Sequence, residues 1–301
     1  MTAATRDSSI PQAVEKPSGG DIVYFDGRYV SKSDVRVSPD DRGFLLGDGI
    51  YEVAAAYDGR FVALERHMER LRRSLKEARI DDSVADPLET VFQELLERNG
   101  FADSGKSMVY LQVTRGAAMR THAFPKVPVR PTVYAYAAPF PRDMASLAAG
   151  TGVITRPDMR WSRCDIKVIS LIANVLDNQL AKEAGCFEAI LIRDGVALEG
   201  THTSFFGVKD GIVRTAPLSN LILPGITREI TIEALERAGI VVDQTAIPAD
   251  DLASLDEMFI TGTTTEVVPV LTLDGKQVGN GSIGPVTREA ITLYRQAAGI
   301  E

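Results

Sequence analysis

The chain has 301 residues, 45% of them apolar and 25% charged, an ordinary globular composition that supports one large core or two moderate ones and excludes a mini-protein. Thirty-three basic side chains against 41 acidic ones leave a net charge of −8 with no basic run, which argues against a nucleic-acid partner. No stretch approaches the roughly 18 uninterrupted apolar residues of a membrane span, and two cysteines (Cys164, Cys186) with three histidines (His67, His122, His202) suit neither a disulfide framework nor a metal site, as expected of a cytoplasmic protein.

Residues 1–20, rich in Ser, Pro and Gly and without an apolar centre, read as a disordered leader rather than a signal peptide. Beyond them Asp-Gly recurs at Asp26-Gly27, Asp58-Gly59, Asp194-Gly195, Asp210-Gly211 and Asp274-Gly275, and each pair supplies the positive φ of a tight hairpin turn. The flanking segments Ile22 to Phe25, Tyr51 to Tyr57, Ala189 to Ile192 and Phe205 to Val208 are therefore predicted antiparallel strands. Leu64, Met68, Leu71 and Leu75 recur at helical spacing, as do Leu88, Val91 and Leu95 after Pro87. Further helices are predicted from about Val168 to Ala184, from Thr227 to Ala238 and from Pro285 to about Ala298. The turn-prone run Ala138 to Asp143 marks a boundary. The expectation is an α+β chain of two domains, 21–140 and 141–301, with mostly antiparallel sheets.

Several residues could carry chemistry. Lys167 lies in the mostly apolar run Ile166 to Ile172, where lost hydration favours a neutral, nucleophilic amine, or from which the side chain snorkels to water. Leu223-Pro224-Gly225-Ile226-Thr227 places Pro and Gly before a helix, so the Ile226 and Thr227 amides form an anion seat or a plain helix start. Thr261-Gly262-Thr263-Thr264-Thr265 offers hydroxyls to a phosphate, or caps the next turn. Glu199 at a strand end is either an inward carboxylate needing a cationic or protonated partner or an exposed hairpin residue. Arg120 and His122, two apart in the loop Thr114 to Pro125, are able to converge on one carboxylate, although Arg115 and Arg120 read equally as solvated loop charges.

Taken together, these segments resemble the fold-type IV, or class IV, pyridoxal-phosphate aminotransferases, and most closely the D-amino acid aminotransferases. The resemblance runs in order through Asp41 to Val53, His67 to Leu71, Arg115 to Pro125, Trp161 to Lys167, Glu199-Gly200, Leu223 to Arg228 and Thr261 to Glu266. It implies pyridoxal 5'-phosphate as cofactor, with Lys167 as the catalytic residue that carries it covalently and shuttles the substrate proton. Glu199 would face the pyridine nitrogen, Leu223 would pack on the ring, and Arg70, Ile226, Thr227, Thr263 and Thr264 would hold the phosphate. Tyr51, Arg120 and His122 would trap the substrate α-carboxylate, the last two from the partner subunit of a homodimer. The implied activity is amino transfer from a D-amino acid to a 2-oxo acid; the alternatives are (R)-selective amine or branched-chain amino acid transamination, or a lyase of the aminodeoxychorismate type. Two departures stand out. Thr201-His202-Thr203-Ser204 brings an imidazole where the family has small hydroxyl residues ending in Asn, and Gly262 stands where Ser is common.

Overall fold

The computed structural model describes residues 20–103, 105–140 and 144–300, so the expected leader, apart from Gly20, and residues 141–143 of the expected boundary lie outside the described residues. Strands β1 (Ile22–Phe25), β2 (Arg28–Ser31), β3 (Gly49–Tyr57), β4 (Arg60–Phe61), β5 (Lys106–Thr114) and β6 (Thr132–Pro139) form a six-stranded antiparallel sheet ordered β2-β1-β6-β5-β3-β4. The short helix α1 (Arg42–Leu46) precedes β3, and α2 (Leu64–Glu77) and α3 (Leu88–Arg98) cover one face of the sheet. Their heptad-like apolar residues Met68, Leu71, Leu75, Leu88, Val91 and Leu95 pack with Ala54, Val109, Leu111 and Ala135, which alternate along the strands. Truncating one of these fully buried leucines to alanine would cost about 2–5 kcal/mol.

The second sheet contains β7 (Thr151–Pro157), β8 (Glu188–Arg193), β9 (Val196–Gly200), β10 (Ser204–Lys209), β11 (Ile212–Thr215), β12 (Val242–Asp243), β13 (Ile247–Pro248), β14 (Glu257–Gly262), β15 (Glu266–Leu273) and β16 (Lys276–Gln277). Its central path runs β10-β14-β15-β7-β8-β9, and the pairing of Ser204 with Glu199 joins β10 back to β9, which closes a ring of six strands. Most pairs are antiparallel, but β7 runs parallel to both β8 and β15. Phe205, Ile260 and Val268 join one apolar cluster with Val153 and Ile190, while their neighbours Phe206, Phe259 and Val267 join another with α6 (Ile226–Arg237) and α7 (Pro285–Ala297). That two-residue alternation is why both faces of these strands are apolar. Two further helices, α4 (Met144–Ala148) and α5 (Ile172–Glu183), flank β7.

The five predicted Asp-Gly turns all sit in hairpins with both residues at positive φ, for example 52° and 78° at Asp194 and Gly195, whereas the sixth Asp-Gly pair, Asp48-Gly49, leads into β3 without positive φ. The sheets are tied together at Glu266, a non-glycine residue at φ 57° that accepts hydrogen bonds from Tyr57 Oη of β3 (2.8 Å), Lys106 Nζ of β5 (3.1 Å) and Arg295 of α7.

One expected element needs correction. The helix predicted from Val168 starts only at Ile172, because residues 167–169 dock along β3 instead: Tyr51 N donates to Lys167 O (2.9 Å), Val168 bridges Ile50, and Ile169 N donates to Gly49 O (3.1 Å). Backbone partners supplied by β3 override the local helical pattern.

Candidate active site

A cavity of about 700 Å³ opens where the start of β3, the 159–174 segment, the β9–β10 turn, the start of α6 and the end of β14 converge. Its size suits a cofactor or a small substrate.

Lys167 enters this cavity from an extended segment pinned to β3. Its amide donates to Ser74 Oγ of α2 (3.4 Å), and the preceding Asp165 carboxylate is held by Arg73 (2.5 Å) and Arg163 (2.9 Å). Its Nζ lies 4.1 Å from the centroid of the Tyr51 ring, so the amine rests over an aromatic face that belongs to the same cavity wall.

Glu199, at the end of β9, points inward and is 5% exposed, which decides between its two readings. It accepts from Arg160 Nη1 (2.5 Å) and from Leu223 N (3.0 Å). Burial pushes its carboxyl up to about 7, and the attraction and hydrogen bond of Arg160 oppose that rise. Arg160 is itself clamped by Asp158 through both Nε (2.9 Å) and Nη2 (3.0 Å). The Glu199 carboxyl is thus poised between its two protonation states near neutral pH, and a protonated base set against it would hold it ionised.

Another part of the cavity lining is rich in donors. Gly225 precedes α6 without a side-chain cap, so the first amides of the helix, including Ile226 and Thr227, have no partner within the helix. A Cβ at Gly225 would come within 2.8 Å of Ser204 Oγ, so only glycine keeps this approach open. Thr261 Oγ1 and Arg228 Nε are buried at the same wall with no hydrogen-bond partner. Arg70 reaches this part with Nη1 on Pro224 O (2.8 Å), while Nε and Nη2 hold Glu52. Glu52 is buried, which by itself raises its carboxyl, but Arg70 and His67 outweigh that and keep it well below the ordinary range. Thr263 and Leu223 line the cavity; Thr264 is not among its lining residues.

Arg115, Arg120 and His122 separate sharply. Arg115 is no solvated loop charge: it is 9% exposed, binds Asp48 through Nε (2.8 Å) and Nη2 (2.9 Å), and donates to the carbonyls of Ala78 and Arg79. Arg42 fastens the same loop through Asp48 (2.8 Å) and Thr121 O (2.7 Å). Arg120 and His122 are exposed and lie outside the cavity of their own chain, to which this loop contributes only Arg115 and Phe124.

With a lysine, a buried carboxylate and an anion cup facing one cavity, the comparisons with known proteins agree. The family model of class IV amino-transferases matches residues 49–273. The chain belongs to the class IV aminotransferases. A D-alanine aminotransferase of Bacillus licheniformis is 41% identical over 276 residues, which cover 91% of this chain and 96% of that one. Among solved structures, the branched-chain amino acid aminotransferase of Escherichia coli superposes with a TM-score of 0.82 at 25% identity, covering 90% of this chain and 92% of that one. A second branched-chain enzyme, from T.th. and solved with pyridoxamine 5'-phosphate, gives a TM-score of 0.82 at 26% identity, with 93% and 95% covered.

Within this class IV aminotransferase, sequence reasoning missed Asp158 and Arg160, which hold Glu199. Their only signal was an acid two residues before an arginine in an otherwise irregular stretch. It also missed Arg228, an orphaned donor of the cup, although Thr227 beside it was singled out. Glu188, at the start of β8, was missed as well; it accepts from Thr201 Oγ1, Thr203 Oγ1, Ala189 N and His202, and burial notwithstanding these partners bring its carboxyl down to about 2.

Proposed function

We propose that this aminotransferase moves an amino group from a D-amino acid to a 2-oxo acid and uses pyridoxal 5'-phosphate to do so. The observation that carries the reading is the convergence of three kinds of group on one cavity: the Lys167 amine, the Arg-held Glu199 carboxylate and a set of unpaired donors. The unpartnered Thr261 hydroxyl, the Arg228 Nε and the uncapped start of α6 fit a phosphate ester, whose oxygens would satisfy them.

Pyridoxal phosphate, when bound, supplies an aldehyde carbon that condenses with amines and a ring that accepts electrons from the substrate Cα. Lys167 would hold it through Nζ and, once displaced by substrate, take and return the proton at Cα. Glu199 would hold a proton at the ring nitrogen, and Arg160 keeps that carboxylate in place. Leu223 would pack on the ring, and Arg70, Ile226, Thr227, Thr263 and Thr264 would bind the phosphate, Thr264 from just outside the cavity wall.

Tyr51, Arg120 and His122 would bind the substrate α-carboxylate, with Arg120 and His122 reaching into the cavity of a partner subunit. A homodimer is supported by the apolar face beside the cavity, where Ile172, Val175 and Leu176 of α5 are 71%, 57% and 59% exposed. Two domains, meeting near residues 138–143, are supported by the origin of the first sheet in residues 22–139 and of the second in 151–277. A cytoplasmic location is supported by two free cysteines, and none of the described helices is long and apolar enough to cross a membrane.

The test is the visible absorbance of the purified holoenzyme. D-alanine should bleach it, pyruvate or 2-oxoglutarate should restore it, and borohydride should fix the cofactor to Lys167. Bleaching by L-leucine but not D-alanine would move the assignment to the branched-chain transaminases, and release of pyruvate without an amino acceptor would move it to the lyases.

A further inference from the structure

The two departures from the family pattern, His202 and Gly262, are neighbours in space. A Cβ at Gly262 would lie 3.7 Å from the His202 carbonyl oxygen and 2.5 Å from Thr265 Oγ1, so glycine leaves room beside the turn that carries the imidazole. His202 itself lines the cavity, and its side chain is 31% exposed and therefore accessible to a bound molecule.

The ring is steered from behind. Its Nδ1 lies 2.8 Å from Glu188 Oε2 and 3.1 Å from Thr201 Oγ1, and the ring meets that of Phe187 at 5.6 Å between centroids. Glu188 is fully buried and takes hydrogen bonds from two threonine hydroxyls and the Ala189 amide as well, so its position is over-determined. With Nδ1 held against the buried Glu188 carboxylate, the ring's orientation in the cavity wall is set by the protein and not by the ligand. Four of the arginines lining the cavity are committed to carboxylates of this chain, Arg70 to Glu52, Arg115 to Asp48, Arg160 to Glu199 and Arg163 to Asp165, and the fifth, Arg228, carries the orphaned Nε assigned above to the phosphate.

We propose that His202, oriented by Glu188, is a specificity-determining residue that binds the second carboxylate of dicarboxylic amino and 2-oxo acids. The assignment rests on the transaminase reading above. The family's small hydroxyl side chain cannot reach as far, so this chain would discriminate acidic from neutral side chains by a different residue.

The experiment compares the holoenzyme with His202→Ser and His202→Gln. Two readouts are taken: steady-state kinetics with D-glutamate and D-alanine, and binding of glutarate and butyrate, followed as perturbations of the cofactor absorbance. In His202→Ser, kcat/KM for D-glutamate should fall by about tenfold, the size of one charge-assisted hydrogen bond, chiefly through KM, with D-alanine within about twofold. Glutarate should bind about tenfold more weakly while butyrate is unaffected. His202→Gln, which keeps a side-chain donor of similar reach, should recover part of both losses and serves if the serine variant does not fold. An equal loss for both amino acids, or no loss for D-glutamate and glutarate, overturns the proposal. If the unsubstituted enzyme turns over neither D-amino acid, the D-transaminase reading fails, and the glutarate and butyrate comparison still decides the role of His202.

Discussion

Glu188 and Glu199 flank the same β8–β9 hairpin and are both buried, yet their environments push them apart: about 2 for the first and about 7 for the second. The difference lies in the donors. Glu188 is met by two hydroxyls, two backbone amides and an imidazole, whereas Glu199 receives one guanidinium and one amide. Burial raises both, and the fuller set of protein donors around Glu188 is what brings its carboxyl down while that of Glu199 stays up.

The largest expected effect comes from removing the proposed catalytic amine. Lys167→Ala should lower transamination by more than about a thousandfold with the thermal midpoint nearly unchanged, checked by single-turnover absorbance and by calorimetry. Glu199→Gln should lower kcat by about a hundredfold while stability shifts by no more than about 1 kcal/mol, since Arg160 keeps Asp158 as a partner. Glu188→Gln should do the reverse, destabilising by about 2–3 kcal/mol in denaturant titration and leaving kcat for D-alanine within about threefold. A large kcat loss at Glu188 with unchanged stability would erase the contrast between the two carboxylates.

Arg120→Ala should raise KM for amino acids by about tenfold and spare (R)-amines that lack a carboxylate. An equal loss for both would make the arginine structural. The smallest effect is in the pH dependence of stability, measured on the cofactor-free chain. The depressed carboxyl of Glu188 contributes stability that is present above its unfolded value near 4.5 and lost as the pH falls toward 2. The raised carboxyl of Glu199 contributes stability that is present below about 4.5 and lost as the pH rises through about 7. Glu188→Gln should flatten the acid limb of the melting profile, and Glu199→Gln the limb between about 4.5 and 7.

The hairpins were legible because the Asp-Gly turn is a local device: two residues at positive φ are decided by their own side chains. The amphipathic helices α2 and α3 were legible for the same reason, their apolar spacing matching the face they bury. The start of α5 was not, since Val168 and Ile169 answer to partners on β3, far earlier in the chain. At the site, Lys167 and Glu199 stood out through their flanking motifs. Arg160 did not, because an arginine in a loop carries no sign of the distant carboxylate it will hold. Arg115 misled for the mirror reason: a loop position conceals a residue whose bonds to Asp48 and to two carbonyls are all made after the chain has folded back.

Glu266 closes the turn that carries the cup hydroxyls and is gripped by side chains from β3, β5 and α7. An insertion of even one residue between Thr261 and Glu266 would dislodge three anchors at once, whereas the mostly exposed span 117–131 is held near its middle by Arg42 on the Thr121 carbonyl and by the Phe124 ring against Arg115. The length of the inner turn is thereby fixed by its anchors, while the outer loop has room to lengthen or shorten without disturbing them.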